Sequence, residues 1–290
     1  MPMLLITGSF HVVGAAPDGD SVRFQPADPA HWDRVDGPHR VRRNASGGAQ
    51  LRLDGIDALE THYTAGRVPT HQPLDLGRAS AAALLSGLGF RAVRRNERET
   101  VTDATPTEMI GYVFTRGADV YGRCVALAGR GIPPTDQPSG ERVHVTVSML
   151  RRTVNYRQLA RGHAYPTFYR KLYADLRQAM ARAVVAARAA GGPLWRSDQT
   201  ASGAALPAGL ADLEGDVVVL PKLFRRLADY FTLNDGDPSL SGFVDYLDAR
   251  DDRITLLPSG QWTSLDTIVA VDGTKIRLTH PPEQLFFDER

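Results

Sequence analysis

The chain has 290 residues, 42% of them hydrophobic and 23% charged, and a single cysteine, Cys124. That is ordinary globular composition, enough for one large domain or two small ones. No apolar run reaches the ~18 residues of a membrane span, which excludes a membrane partner, and a lone cysteine excludes an internal disulfide framework. The net charge of +1 hides an asymmetry. Residues 1–200 carry 26 Lys/Arg against 18 Asp/Glu, whereas residues 201–290 carry 8 against 15. A basic body with an acidic C-terminal region points to an anionic partner for the body. All but three of the 34 basic residues are Arg, the exceptions being Lys171, Lys222 and Lys275. Guanidinium forks match phosphate oxygens in two-point contacts, although a coding bias toward Arg would give the same count.

In chain order, residues 3–13 read as an apolar strand. The start lacks the basic leader of a secretory signal, so a strand is preferred there and a cytoplasmic location expected over secretion. Residues 17–19 are a turn, residues 21–25 alternate as a strand, and residues 26–49 form a long loop. Residues 50–56 (QLRLDGI) alternate again, with Leu51 and Leu53 on one face and Arg52 and Asp54 on the other. After a loop over 61–76, the Ala/Leu-rich residues 77–88 predict a helix closed by Gly89. Strands are expected over 91–100, 109–115 and 123–128, an insertion loop over 129–141, and an extension of the sheet over 142–148. Helices follow over 151–161 and 169–190, the second stopped by Gly191-Gly192-Pro193. Residues 198–208 are a Ser/Ala/Gly/Pro-rich linker. Beyond them a short helix over 221–230 precedes strand-like runs at 254–257, 267–271 and 275–278. Strands and helices in this order fit a small closed barrel with helices packed on it.

Three short elements carry chemistry. Asp18-Gly19-Asp20 immediately precedes a strand; residues 52–60 (RLDGIDALE) deliver Arg52 on a strand and then Asp57 and Glu60 on the following turn; Asp119-Val120-Tyr121-Gly122-Arg123 opens another strand. Each alone reads as a turn or an ordinary surface. Together they offer carboxylates from separate segments for a hard divalent cation, two arginines to clamp a phosphate, and a carboxylate to take a proton from water. That set suffices to hydrolyse a phosphodiester. His62, His71 and His163 have no metal-ligand spacing with a third partner. Met149, Met180, Tyr165, Phe168 and Tyr169 read as core or pocket wall, with Tyr165 or Phe168 as a base-stacking alternative.

These elements are found in the same order in the thermonuclease (staphylococcal-nuclease-like) family. That family has Asp-Gly-Asp-Thr-Val, Arg-Leu-x-Gly-Ile-Asp-x-Pro-Glu, Asp-x-Tyr-Gly-Arg, a Val-Asn…Leu…Gly-x-Ala helix, and a last helix leading to Gly-Leu-Trp. Here they correspond to residues 18–22, 52–60, 119–123, Val154-Asn155 with Leu159, Gly162 and Ala164, and Leu194-Trp195. The chain resembles the family over residues 10–197. The resemblance implies an α+β fold: a five-stranded OB-fold-type β-barrel with three packed helices, carrying a small mixed C-terminal extension. It implies a nuclease domain over 1–197, the linker at 198–208, and an accessory region of no recognised family over 209–290.

The resemblance also implies roles. Asp20 and Asp57, with the backbone carbonyl of Ala58, would bind Ca²⁺, with Mg²⁺ or Mn²⁺ as alternatives. Glu60 would orient or deprotonate the attacking water. Arg52 and Arg123 would hold the scissile phosphate, and Tyr121 would line the nucleotide pocket. The expected partner is nucleic acid, single-stranded DNA or RNA, left with 3′-phosphate ends. Two positions depart from the pattern. Ser21 replaces Thr, and Leu59 replaces the Pro before Glu60, which removes a rigid dihedral and is expected to loosen Glu60. The loops over 26–49, 61–76 and 129–141 look longer than a minimal member needs. The acidic region is expected to act as a lid over the basic cleft, as a docked structural extension, or as a contact for a protein partner. The competing readings are a binding module that holds single strands without cutting them and an interaction scaffold.

Overall fold

The computed structural model describes residues 2–170, 172–257 and 259–288. In chain order the body consists of β1 (Met3–His11), β2 (Ser21–Pro26), β3 (Ala49–Leu53), β4 (Gly55–Asp57), β5 (Tyr63–Ala65), β6 (Val68–Thr70), α1 (Leu74–Leu88), β7 (Arg91–Arg95), β8 (Val101–Thr105), β9 (Glu108–Ala118), β10 (Cys124–Arg130), β11 (Arg142–Val143), α2 (Val147–Leu150), α3 (Val154–Ala160), β12 (Tyr165–Tyr169) and α4 (Ala174–Ala189). The C-terminal part adds β13 (Ala204–Ala205), α5 (Leu210–Glu214), α6 (Pro221–Leu233), α7 (Phe243–Arg250), β14 (Arg253–Leu256), β15 (Trp262–Ser264), α8 (Leu265–Ile268), β16 (Val269–Asp272), β17 (Lys275–Leu278) and β18 (Leu285–Phe287).

The fold is α+β around a closed, mixed five-stranded barrel. The strands run in the order β1-β2-β3-β10-β9, and β9 returns to pair antiparallel with β1, so no edge is left between them. Within the barrel the β3–β10 pairing is parallel and the others antiparallel; β11 adds a short strand beside β1. Alternation sets the two faces. Val22, Leu51, Leu53, Phe10, Phe24, Phe114 and Leu127 are buried in the interior. The in-between positions, Arg52 among them, face outward. The pairing register places Ser21 opposite Arg52 across β2–β3 and Val125 opposite Arg52 across β3–β10.

Several elements differ from the sequence expectation. The 91–100 stretch is not one strand: β7 and β8 form a separate hairpin around a turn at 96–100. The 26–49 loop holds a 3₁₀ turn, Pro29–Arg34, whose Trp32 is buried against Phe24. The helix expected from 151 starts at Val154, because Thr153 caps it by accepting from the Tyr156 N–H at 3.3 Å. The helix expected from 169 starts at Ala174, because residues 165–169 are drawn into a sheet. Tyr165 and Phe168 are fully buried there, which takes them out of reach of a base. The 267–271 run divides into the end of α8 and β16.

The C-terminal part is built into the body. A second sheet runs β15-β14-β18-β12-β4, so β18 extends the sheet that begins at the Asp57 strand. Residues of the 198–208 stretch are tied down as well. Asp198 accepts from the Tyr165 hydroxyl at 2.7 Å, and the buried Thr200 accepts through its Oγ1 from the Leu220 N–H at 2.9 Å. One continuous apolar core joins Tyr165, Phe168 and Leu176 of the body to Leu220, Leu223, Phe224, Leu227 and Phe287. Among the described residues no helix is long and apolar enough to cross a membrane.

Candidate functional site

The acidic residues singled out from the sequence meet at one end of the barrel, held by the chain's own turns. Gly55 takes φ +78° directly after Asp54, a left-handed conformation that a side chain would strain. A Cβ there would also meet the Met180 sulfur at 2.7 Å. This turn carries the chain from β3 to β4 and brings Asp57 and Ala58 beside the start of β2. There the Ala58 N–H donates to Asp20 Oδ2 at 3.0 Å, while the Leu53 N–H donates to the Asp20 carbonyl at 2.8 Å.

Helix α3 fixes both acidic turns from behind with two buried amides. Asn155 Nδ2 donates to the carbonyls of Asp54 and Ala126, both at 2.9 Å, and its Oδ1 accepts from the Ala128 N–H. Gln158 Nε2 donates to the carbonyls of Gly19 at 2.9 Å and Ser80 at 3.0 Å. The Asn155 of the sequence pattern therefore positions the strand end that leads to Asp57, and Gln158 does the same for Asp20.

Leu59 does not loosen Glu60. Its side chain is buried in the core. The Glu60 backbone is gripped from both sides by Gln72, whose N–H donates to the Glu60 carbonyl at 2.8 Å and whose Oε1 accepts from the Glu60 N–H at 3.2 Å. Packing and two hydrogen bonds do what a fixed proline dihedral would otherwise do. Gln72 is itself fully buried, and its Nε2 donates to the Val219 carbonyl at 2.9 Å, the turn that leads into α6.

Arg52 reaches back over this cluster. Its Nη2 donates to Asp57 Oδ1 at 3.1 Å, and its Nη1 stands 3.7 Å from Asp20 Oδ2. A second guanidinium, which the sequence did not flag, completes the network. Arg225 of α6 donates from Nη2 to Asp57 Oδ2 at 2.8 Å and from Nη1 to Glu60 Oε1, with a longer contact to Asp57 Oδ1 at 3.4 Å. Nothing in the local sequence marks Arg225. It lies in a region whose average charge is acidic, and the long-range pairing that brings it here is invisible to pattern. The contact pairs charges opposite to the regional balance: a basic residue of the acidic region meets acidic residues of the basic body.

The network divides the carboxyls electrostatically. Burial alone would raise Asp57, which is 1% exposed, but the charges of Arg225 and Arg52 outweigh it and hold the carboxyl down at about 2. Burial raises Asp20 well above the usual range, and Asp18 adds to the effect against the pull of Arg52. Burial also raises Glu60, with Arg225 opposing it. Arg225 and Arg52 are kept charged by the carboxylates around them despite their burial.

Arg123 and Tyr121 lie apart from this network, on the neighbouring turn. Asp119 organises that turn: its Oδ1 accepts from the N–H groups of Tyr121 at 3.0 Å and Arg123 at 2.9 Å, and its Oδ2 accepts from Arg123 Nε at 2.7 Å. The Tyr121 ring is 74% exposed and carries the Arg123 guanidinium over its face, 5.6 Å from the centroid. The bonds described for the Arg123 side chain run to Asp119, not to the Arg52 cluster. Parallel pairing sets Arg52 opposite Val125. Arg123 stands two residues before Val125, on the turn that leads into β10.

The carboxylates do not fit a divalent cation as they stand. Both oxygens of Asp57 are held by guanidinium groups, Glu60 Oε1 is held by Arg225, and Asp20 Oδ2 is held by the Ala58 N–H. Among the described residues no three His, Cys, Asp or Glu side chains form a group that could hold a metal ion. The chain matches no protein-family model, and no curated protein matches it.

Proposed function

We propose that the protein is a phosphodiesterase acting on single-stranded DNA or RNA, built on an OB-type barrel of the kind found in thermonucleases. The observation that carries the reading is the convergence of Asp20, Arg52, Asp57 and Glu60 into one network of hydrogen bonds and ion pairs, with Arg123 at the head of β10, the strand paired with that of Arg52. Those residues come from three separate segments, and a purely structural ion cluster has no need of the half-buried Arg123 and the exposed Tyr121 on a separate turn.

In this reading Arg52 and Arg123 straddle the phosphate and offset the negative charge that grows on it. Tyr121 offers its exposed ring to the adjoining nucleotide. Glu60, with its pKa raised by burial, accepts the proton of the attacking water. Arg225 holds Oε1, so proton acceptance falls to Oε2. Water oxygen bonds to phosphorus, the bond to the 5′ oxygen breaks, and that oxygen leaves with a proton from solvent, so the phosphate stays on the 3′ side. Ca²⁺ on Asp20, Asp57 and the Ala58 carbonyl, as the sequence resemblance implies, would require those carboxylates to be freed first, and no step here is drawn through it. Cys124 is buried and free, which suits action in the reducing cytoplasm.

The test is a cleavage assay on single-stranded DNA and on RNA, in Ca²⁺, Mg²⁺, Mn²⁺ and chelator. Wild type is compared with Glu60→Gln and Arg123→Ala. Cutting that falls by about 100-fold or more in both variants, the usual scale for a lost catalytic acid–base or charge-stabilising group, supports the proposal. One observation favours a second reading, a module that binds single strands without cutting: Asp57 and Glu60 are already neutralised by Arg225. Salt-sensitive binding of a labelled oligonucleotide with no cutting in any condition would decide for it.

A further inference from the structure

We infer that Arg225 is the resident cation of this site: its guanidinium occupies the Asp57 oxygens that a divalent ion would need and ties them to Glu60, and the native protein holds no Ca²⁺ there. The inference rests on the reading of the cluster as the phosphodiester site.

Charge requires some such group. Asp20 and Asp57 are buried, and Glu60 nearly so. Arg52 alone cannot balance them, and a buried carboxylate left unpaired is strongly disfavoured. A metal ion would solve this with oxygen ligands. Here a planar fork solves it, bonding Asp57 with both terminal nitrogens and Glu60 with one of them. That two-point geometry is the strong form of the Arg–carboxylate pair.

Nor is Arg225 a surface side chain that has drifted into the site. It stands on a helix whose Leu223, Phe224, Leu227, Ala228 and Phe231 are wholly buried. The helix is also bolted to the segment that carries Glu60. The Tyr63 hydroxyl donates to Asp229 Oδ1 at 2.9 Å, the Tyr63 ring meets Phe224 edge-on at 5.9 Å, and Gln72 ties Glu60 to Val219. On the far side Lys222 and Arg226 both bind Asp252. Lifting this helix to admit a metal would expose more apolar surface than the whole stability of a typical domain can offset. The cation is therefore fixed in place rather than gated.

The experiment is Ca²⁺ titration of the full-length protein by calorimetry, with the thermal midpoint followed in parallel. Wild type, Arg225→Ala and the double variant Arg225→Ala/Asp57→Asn are compared. Wild type is expected to show no binding and no midpoint shift through millimolar Ca²⁺. Arg225→Ala is expected to bind one Ca²⁺ at least about tenfold more tightly than wild type, with a Kd on the order of 10⁻⁴ to 10⁻³ M, typical of weak oxygen-ligand sites. Its midpoint should rise as the ion binds, and the double variant should lose both effects. Should Arg225→Ala fail to fold, Arg225→Gln, which keeps length and hydrogen-bond donors but not charge, takes its place under the same criteria. Ca²⁺ binding by wild type that Asp57→Asn abolishes would overturn the inference. So would a folded Arg225 variant that binds no more Ca²⁺ than wild type. Because neither readout involves cutting, a protein that cleaves nothing can still confirm Arg225 as the resident cation, and one that cleaves can still refute it.

Discussion

Arg225 Nη2 lies 2.8 Å from Asp57 Oδ2, a contact that spans 168 positions of the sequence and joins the second acidic segment, at the end of β4, to the C-terminal helix α6. Asp57 receives Arg52 on its other oxygen, so one carboxylate balances two guanidinium groups. Breaking a buried pair by removing one partner leaves an uncompensated charge and costs about 3–5 kcal/mol. Asp57→Asn and Arg225→Gln are each expected to lose stability on that scale in urea denaturation. Their double variant should lose less than the sum, with a coupling of about 1–3 kcal/mol. Additive losses would mean that the two side chains do not share one interaction.

The same network sets an acid profile with two opposed limbs. Asp57 is depressed from 3.8 to about 2 in the fold, so its contribution is fully present above the unfolded value and is lost as pH falls through about 2. Its size is about 2 kcal/mol, from about 1.4 kcal/mol per pKa unit. Glu60 and Asp20 are raised, so their folded forms penalise the charged state at neutral pH. That penalty lifts as pH falls through their folded values toward the unfolded ones. Stability followed by urea midpoint should therefore rise from pH 7 into the mildly acidic range and fall below about pH 4. In Asp57→Asn the acid fall should shrink, and a monotonic decline from neutral pH in the wild type would show that Glu60 and Asp20 are not penalised by burial.

The barrel was legible in the sequence because its signals are local. Leu51 and Leu53 alternate with Arg52, Asp-Gly pairs mark turns, and Gly89 and Gly191 stop helices where the structure stops them. The acidic turns and Arg52 were legible for the same reason. What lay hidden is non-local. The helix read from residue 169 begins later, and residues 165–169 are a strand instead, through antiparallel pairing with β4 and parallel pairing with β18. Tertiary pairing overrides local propensity there. Helix α7 has no side-chain cap to announce it. Gln72, Gln158 and Arg225 carry no pattern at all, because their work is done on backbone groups and carboxylates far away in sequence. Charge counting by region misled in one respect: it registered the acidic surplus of residues 201–290 and missed the single arginine that reaches the site.

Asn155 offers a test of positioning that is separate from charge. It makes three buried hydrogen bonds, to the Ala128 N–H and to the carbonyls of Asp54 and Ala126. Asn155→Leu removes all three in one step. Stranding buried polar groups costs about 1–3 kcal/mol for each, so a loss of about 3 kcal/mol or more is expected in urea denaturation. The Asp54 carbonyl sits at the turn that aims Asp57, so oligonucleotide cleavage by the folded variant should drop as well, mainly in kcat. Substrate binding through the outlying Arg123 and Tyr121 turn should change little. A variant with wild-type stability would show that α3 does not hold the two strands together.

Truncation separates a lid from an integral part of the fold. A lid could be removed to leave a folded barrel. Here removal of residues 209–290 would strip β18 from β12, leave Gln72 without the Val219 carbonyl, and leave Arg188 without its fork to Glu283. It would also uncover Tyr165 and Phe168, both fully buried in the shared core. Each large apolar side chain exposed costs about 1.5–3 kcal/mol. Two such side chains, with the polar partners lost beside them, approach the 5–15 kcal/mol that holds a typical domain together. The shortened chain is therefore expected to aggregate or to lose its cooperative melt by circular dichroism, and to lose any nuclease activity with its fold. A truncated protein that melts cooperatively would instead make the C-terminal region a separable module, and Arg225 would then be a contact between two units rather than part of one core.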